Sequence, residues 1–569
     1  MRIIGAFVPI ILGLSIIVSA MVSCTVGQAE TSGDTSTYAS DIITPPETLE
    51  TEAGTLSDIT AESPVELSPT TLAEDTKAQK LKSVKSLIFK AVHNDGLFED
   101  IIVYPDKLAE ETLDVMMPCR VDLTRVVFCA ENLRGDIMGP YLADFSDDAV
   151  SDNEKFYLGS ISKTIRLLQS SLPSMMVSLD GEHGRIEDVM ASKNHSVSAY
   201  GDMCVTVTDE VAREKGWMTV YASEEKDSAL YGTMSIKGRG NATWRDFDKK
   251  PFRINTEKKV GLLGMSAAKK WELLANSLDA SLLRNQIFYD LALDMGLYGT
   301  ECRQVDLFVN GRYFGVYLLT EHVEIDETGG YLIEIDNYYY KEVRTFKTKR
   351  AGLNFTVNTQ NVPGGVAAVE AKLNEIEAAI YNTSDDRVFG MLDIESFAKY
   401  YILQELSLNY DVLQGSGYMY YIYSDGKLYA GPAWDMDNTM AVFSKGAHMY
   451  TNRVYAAHES WFKMLLRNET FAKEVIRQYF ECGVREEILA LPEKLNEYAD
   501  EISASARVNH KINSIYRHDN SKGEYWDDDV AYLNKRLGER IEWLERFMAD
   551  YRDANGKFST ILFHSIPRG

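Results

Sequence analysis

The sequence predicts an α+β fold, with a β-rich half followed by a helical half and a smaller all-β module in front. Three observations carry that expectation. From Val84 to about Ser171, short apolar runs alternate with turn residues, the punctuation of strands. Strand-type runs continue to Leu319 and include Val305–Val309 and Arg312–Leu319 around Asn310-Gly311, a pair that supplies the positive φ angles of a tight hairpin turn. Beyond Ile394 the apolar residues recur at helical spacing. Strands first and helices afterwards is the order of an α+β domain. At 569 residues the chain is too long for one ordinary core, so two or three domains are expected.

Arg2 precedes an apolar run from Ile3 to Val22 that ends in Met21-Val22-Ser23-Cys24. A positive start, an apolar stretch and small residues at its end read as a secretory signal. The last four residues resemble a bacterial lipobox, with Met21 where leucine is usual. That resemblance implies a signal peptide over residues 1–24 and lipidation at Cys24. A simple membrane anchor is the alternative, because the run is nearly long enough to span a bilayer; either way the rest is exported. From Thr25 to about Thr76 the chain is rich in Thr, Ser, Glu, Asp and Pro, so residues 25–80 are expected to be a disordered tether that holds the folded part off the membrane.

Hydrophobic residues make up 45% and charged ones 25%, the balance of a globular protein. The net charge of −26 argues against nucleic-acid partners, which need a basic surface. Of six cysteines, five remain after Cys24, with no CxxC spacing, which argues against zinc and against a dense disulfide framework. Cys119 and Cys129 could pair across neighbouring strands, although buried free thiols are the simpler reading.

Residues 81–171 hold Ser86–Lys90, Val115–Met117 and Arg125–Phe128, with the turn Asn94-Asp95-Gly96 between them. The succession Phe89, Asn94, Leu97, Asp100, Met117-Pro118, Val121–Thr124 and Asp144–Ser146 resembles an immunoglobulin-like module. The alternative is a β-rich extension of the next domain. That domain is expected over 172–552. It opens near Leu172-Pro173 with strands at Met175–Leu179, Asp202–Thr208, Thr233–Lys237 and Lys249–Ile254. A helix is expected from about Ser281 to Met295, carrying Leu282, Leu283, Ile287 and Leu291 and ended by Gly296. A second hairpin, Met419–Tyr423 with Lys427–Ala430, turns at Asp425-Gly426. Amphipathic helices fill Ser460 to Asp550, with Ile541, Leu544 and Phe547 on one apolar face. Residues 553–569 are left as a tail.

The chemistry-bearing residues cluster late. Asp435 and Asp437 lie two apart, so on an extended segment both carboxylates point to one side. Two such acids repel unless a cation lies between them, and hard oxygen ligands suit Mg²⁺, Mn²⁺ or Ca²⁺. Asp411 follows a helix end and precedes the loop Leu413–Gly417. A carboxylate there can orient an acceptor hydroxyl and take its proton, as phosphoryl transfer requires. Taken singly, each acid is more simply a turn cap or a surface charge. The turn Gly238-Arg239-Gly240-Asn241 could bring backbone N–H groups to a phosphate, although such turns usually just join strands. Arg239 adds a planar fork suited to phosphate oxygens. Neither H-E-x-x-H nor G-x-S-x-G occurs. A glycosidase needs only two carboxylates across a sugar cleft and is the weaker enzyme alternative, since the Trp residues read more simply as packing.

Four ordered segments between residues 237 and 437 carry a more specific likeness. They are Ile236–Thr243 with Lys249–Arg253; Trp271–Asn276 with Asp279 and Leu283-Arg284-Asn285; Gly315–Val323; and Asn409-Tyr410-Asp411 with Ser416–Tyr420 and Gly431–Asp437. Together they resemble the CotH (spore-coat protein H) kinase family. The resemblance implies an atypical protein-kinase-like bilobal domain that moves phosphate from ATP to Ser or Thr hydroxyls of exported or surface proteins, with Mg²⁺ or Mn²⁺. It implies Asp411 as the catalytic acid, Asp435 as main metal ligand and Asp437 as second ligand or support. Ser416 stands where ordinary protein kinases place a metal-binding Asn. Arg239, Gly240 and Asn241 would face the nucleotide phosphates, and Lys250, rather than Lys249, would supply the phosphate-contacting lysine. Glu321 and Val323, either side of His322, would form the interlobe hinge. No Glu lies on the Ser281–Met295 helix to pair with that lysine, which leaves Glu272, Asp279 and Asp290 as candidates. The implied partners are a nucleotide, a protein substrate at the cell surface or spore coat, and the membrane through the lipid alone. The alternative is a kinase-like fold kept as an inactive binding or coat-assembly module, since little free ATP exists outside a cell.

Overall fold

The computed structural model describes residues 81–82, 84–104, 112–146, 155–158, 161–222, 234–336, 343–409, 411, 415–440, 450–513 and 525–554. The expected signal peptide, Cys24, the tether and the tail beyond Ala554 lie outside them.

Among the described residues, the N-terminal module has eight strands: β1 (Leu81–Lys82), β2 (Val84–Phe89), β3 (Ile101–Val103), β4 (Thr112–Met117), β5 (Val126–Asn132), β6 (Ile137–Ala143), β7 (Lys155–Leu158) and β8 (Ile161–Gln169). They form two four-stranded sheets, β3-β2-β5-β6 and β1-β7-β8-β4. Alternate residues of β2, β4, β5 and β8 feed a common core: Leu87 and Phe89, Leu113, Val115 and Met117, Val126 and Phe128, Ile165 and Leu167, the period-2 pattern of half-buried strands. Cys119 and Cys129 are buried free thiols. The same cluster takes in Met176, Cys204, Phe308 and Val508 from the following domain, so the two share apolar packing.

Eight strands and four helices come next: β9 (Ser174–Leu179), α1 (Ile186–Ala191), β10 (Ser198–Thr206), α2 (Asp209–Lys215), β11 (Val220–Ala222), β12 (Met234–Gly238), α3 (Ala242–Asp246), β13 (Phe252–Val260), β14 (Ala268–Leu274), α4 (Arg284–Asp294), β15 (Cys302–Val309) and β16 (Arg312–Glu321). Pairing runs β10-β12-β13-β14-β16-β15-β9 and returns from β9 to β10, so seven strands close into a barrel with β11 appended. Among the described residues, closure leaves β11 as the sheet's edge strand. Successive residues serve different cores. Met175, Val177, Val305, Leu307, Tyr317 and Leu319 fill the barrel, Met176 and Phe308 turn towards the N-terminal module, and Val316 and Leu318 turn towards the helical half. The Asn310-Gly311 hairpin forms as expected, with φ of 48° and 67°. A Cβ on Gly311 would sit 1.9 Å from the Asp100 carbonyl oxygen, so the N-terminal module touches the barrel backbone there.

The last part contains β17 (Gly330–Ile335), β18 (Thr345–Lys347), β19 (Asn354–Val357), α5 (Gly365–Ile380), α6 (Ile394–Ser407), β20 (Gly417–Ile422), β21 (Lys427–Ala430), α7 (Ser460–Leu465), α8 (Glu469–Glu481), α9 (Val484–Ile512) and α10 (Trp526–Asp553). The expected hairpin is present as β20–β21, but it belongs to a five-stranded antiparallel sheet, β18-β19-β17-β20-β21. Ile541, Leu544 and Phe547 of α10 are buried in the main cluster as their spacing predicts. The fold is therefore mixed α+β.

Candidate active site

Three pieces of chain meet where the barrel abuts the last part: the outer face of β12–β14, the first turns of α4, and the two loops that hold Asp411 and Asp435. Cross-strand pairing sets the first. Arg253 lies directly opposite Glu272 and Lys237 opposite Arg253, so one face of the sheet gathers their side chains. The Glu272 carboxylate is fully buried and takes Arg239 at 2.9 Å, Arg253 at 2.6 Å and His322 Nδ1 at 2.8 Å. Burial opposes its charge, yet the Arg239 guanidinium, the His322 hydrogen bond and Arg253 hold its pKa at about 2. Arg239 in turn lies over the Trp434 ring, 5.7 Å from the centroid.

The acids come from two separate stretches, and the structure brings them together. Asp411 accepts a hydrogen bond from Asn438 Nδ2 at 2.8 Å. Burial, helped by the charge of Asp435, raises its pKa against that bond. Ser416 donates its hydroxyl to Asp435 at 3.0 Å. Asp437 is buried and its pKa is pushed well up by burial, then by Asp435 and Asp279, with Arg239 opposing. Glu334 on β17 is raised to about 7, mainly by burial. The segment carrying Asp435 and Asp437 is not extended, as its spacing had suggested. Asp435 is left-handed at φ 57° and a short 3₁₀ turn, Met436–Asn438, follows. Local hydrogen bonding to α4 wins over the extended form.

The two lysines lie elsewhere. Lys250 donates to the Trp244 carbonyl oxygen at 2.5 Å. Lys249 is buried, donates to the Val316 carbonyl oxygen and sits 4.5 Å from the Tyr317 ring centroid. Neither amine joins the acids, and the cation that faces them is Arg239. Among the candidates for an ion-pair partner, Glu272 pairs with Arg239, Asp279 pairs with Arg284, and Asp290 accepts from the Tyr498 hydroxyl at 2.7 Å. Gly240 has φ 82°, and a Cβ there would press on Thr243 Oγ1 at 2.7 Å. Asn241 sits at the N-terminus of α3 with no capping bond from its side chain. Glu321 ends β16 and Val323 is buried just beyond. Between them His322 reaches Glu272, so this segment borders the ion-pair cluster.

Sequence reasoning missed Asn285, Tyr289 and Asn438. The signal for the first two was their i, i+4 spacing on one helix face, within a segment already singled out.

Arg239, Asn276, Asn285, Tyr289, Asp435 and Asp437 are among the residues lining a cavity of about 20 Å³, room for one water or ion. Among the described residues, no group of three or more His, Cys, Asp or Glu side chains is placed to hold a metal unaided. Mg²⁺ does not require one, because it is commonly bound through one or two carboxylates plus substrate phosphates and water. Asp435 and Asp437, mutually repelling with one guanidinium opposing, fit that requirement.

A search of curated proteins returns no match. Among solved structures, the crystal structure of the proinflammatory kinase CtkA of Helicobacter pylori aligns with 53% of this chain and 95% of that one, at 8% identity and a TM-score of 0.25. A likeness that weak carries no argument about this site. A family model described as CotH kinase protein matches residues 236–544, a span that runs from β12 to α10 and takes in Arg239, Glu272, Asp411 and Asp435. With more than half of its residues matched, the chain belongs to the CotH kinase family.

Proposed function

We propose that this protein is an exported, lipid-anchored atypical protein kinase that transfers phosphate from ATP to Ser or Thr hydroxyls of surface or coat proteins. The reading is supported above all by the meeting of Asp411 and Asp435 beside the Arg239 guanidinium. Asp411 would orient the acceptor hydroxyl and take its proton, and burial with a neighbouring acid keeps it a better base than a free aspartate. Arg239, held by Glu272, would bind phosphate oxygens in place of the lysine used by ordinary protein kinases. Asp435 would be the main ligand of Mg²⁺ or Mn²⁺, with Asp437 beside it and Ser416 orienting it; the ion, when bound, neutralises charge on the phosphates. The Glu321–Val323 segment would border the base. The module of residues 81–171, proposed as immunoglobulin-like, would sit between the lipid at Cys24 and this domain.

The test is Asp435→Asn. We expect metal-dependent nucleotide binding to vanish while the thermal midpoint of the free protein stays within a few degrees of wild type. Equal nucleotide binding by the variant refutes the assignment.

One observation favours a second reading, an inactive binding or assembly module. The cavity lined by Asp435 and Asp437 is about 20 Å³, whereas ligand pockets usually measure several hundred Å³. Wild-type protein with no thermal shift at saturating nucleotide and Mn²⁺ would favour this reading, because a bound ligand must stabilise the fold.

A further inference from the structure

Helix α4 carries no glutamate for an ion pair, yet it makes three consecutive contacts along the loop that bears the two acids. The Tyr289 hydroxyl accepts the Asp435 N–H at 3.2 Å. Asn285 Oδ1 accepts the Met436 N–H at 2.7 Å. Arg284 Nε donates to the Thr439 carbonyl oxygen at 3.1 Å. These residues lie at i, i+1 and i+5 of one helix, and each is itself fixed. Asn285 Nδ2 donates to Asn276 Oδ1 at 2.9 Å, the Tyr289 ring stacks on Trp434 at 5.7 Å and 12°, and Arg284 is paired with buried Asp279. The helix is braced from behind as well, through Tyr498–Asp290 at 2.7 Å and Lys494–Asp294 at 2.6 Å.

The loop needs such support. Asp435 has φ 57°, a left-handed conformation that a residue with a side chain adopts less readily than glycine and that local contacts help to hold. Two backbone N–H groups at this turn, those of Asp435 and Met436, are taken up by α4. Without them the turn loses two backbone hydrogen bonds, and the Asp435 carboxylate keeps the Ser416 hydroxyl as its partner.

We propose that Asn285 and Tyr289 are positioning residues for the cation-binding loop: they hold the left-handed turn at Asp435 so that its carboxylate is preset for the ion. This rests on the reading of Asp435 as metal ligand. The experiment is Mn²⁺-dependent binding of a fluorescent ATP analogue to the full chain, titrated with Mn²⁺, for wild type, Asn285→Leu, Tyr289→Phe and Asp435→Asn. The half-saturating Mn²⁺ concentration is expected to rise tenfold or more in Asn285→Leu and severalfold in Tyr289→Phe, with the wild-type plateau reached at high Mn²⁺. Asp435→Asn should show no Mn²⁺-dependent binding. A residue that served folding alone would lower the plateau without moving the midpoint. That result, or midpoints within twofold of wild type in both variants, overturns the proposal. Tyr289→Phe keeps the ring and guards against a folding failure of Asn285→Leu. If wild type shows no Mn²⁺-dependent binding, the phosphoryl-transfer reading fails separately. Amide exchange over Asp435–Thr439 then decides the clamp: faster exchange in Tyr289→Phe than in wild type supports it, and equal exchange overturns it.

Discussion

Replacing Glu272 by Gln tests the electrostatic hub of the barrel face. The carboxylate is fully buried between two guanidiniums and an imidazole, and folding lowers its pKa from an ordinary 4.5 to about 2. A shift of that size corresponds to about 3 kcal/mol of stability at neutral pH, in the range of roughly 3–5 kcal/mol seen when one partner of a buried pair is removed. The sign follows from the depressed pKa. The contribution is complete above the unfolded value and is lost as pH falls towards 2, so at pH 3.5 about 2 kcal/mol of it should remain. The assay is urea unfolding of wild type and Glu272→Gln at pH 7 and pH 3.5. We expect a gap of about 3 kcal/mol that narrows by about a third at the lower pH. Because Gln leaves Arg239 without its counter-charge, nucleotide binding should weaken in step. A gap under about 1 kcal/mol, or one that widens on acidification, would refute the reasoning.

Lys249 gives a pH dependence of the same sign in a different window. Burial lowers its pKa from 10.5 to about 7, so between those values the unfolded chain binds the extra proton and stability rises with pH. Urea midpoints at pH 7 and pH 9 should show that rise in wild type and lack it in Lys249→Met; an equal rise in both would remove Lys249 as its source. Arg540 and Glu405 form a pair with side chains 0% and 1% exposed, 2.6 Å apart. Arg540 also holds the Thr451 and Arg453 carbonyl oxygens. Arg540→Met is expected to cost about 3–5 kcal/mol in urea unfolding, and a loss below 1 kcal/mol would show that the pair is dispensable.

What could be read from the sequence divides along contact range. The Asn310-Gly311 hairpin, the α4 region and the α10 face were legible because their signals are local: turn chemistry, and apolar residues recurring at helical spacing. Asp411 and Asp435 could be named as candidates because two carboxylates in that order suit one chemistry, and Ser416 because of the family resemblance. The choice of Lys250 was not supported by its placement, since its amine lies against Trp244. The cation facing the acids comes from Arg239, which directly follows β12, two strands away from β14, and is matched to Glu272 only through the β12–β13–β14 register. Register depends on long-range pairing that spacing does not reveal. Closure of the barrel is the same case, because β9 pairs with β15 in parallel, Ser174 opposite Asp306. The left-handed turn at Asp435 was hidden for another reason. Asp rarely adopts it unaided, and the groups that impose it sit on α4.

The arrangement also separates two tasks that ordinary protein kinases join. There, one ion pair links a strand lysine to a helix glutamate, so movement of the helix breaks the pair and switches the enzyme. Here the ion pair joins Arg239, directly after β12, to Glu272 on β14, and does not run through a residue of α4. The helix instead grips the loop of Asp435 by backbone hydrogen bonds, and is itself held by Tyr498 and Lys494 of α9. An outward movement of α4 would therefore act on the loop of Asp435 before it acts on the Arg239–Glu272 pair. Because α9 also carries Val508 into the core of the N-terminal module, the element that braces α4 is packed against that module. That packing makes the module a structural support of the helix that holds the Asp435 loop.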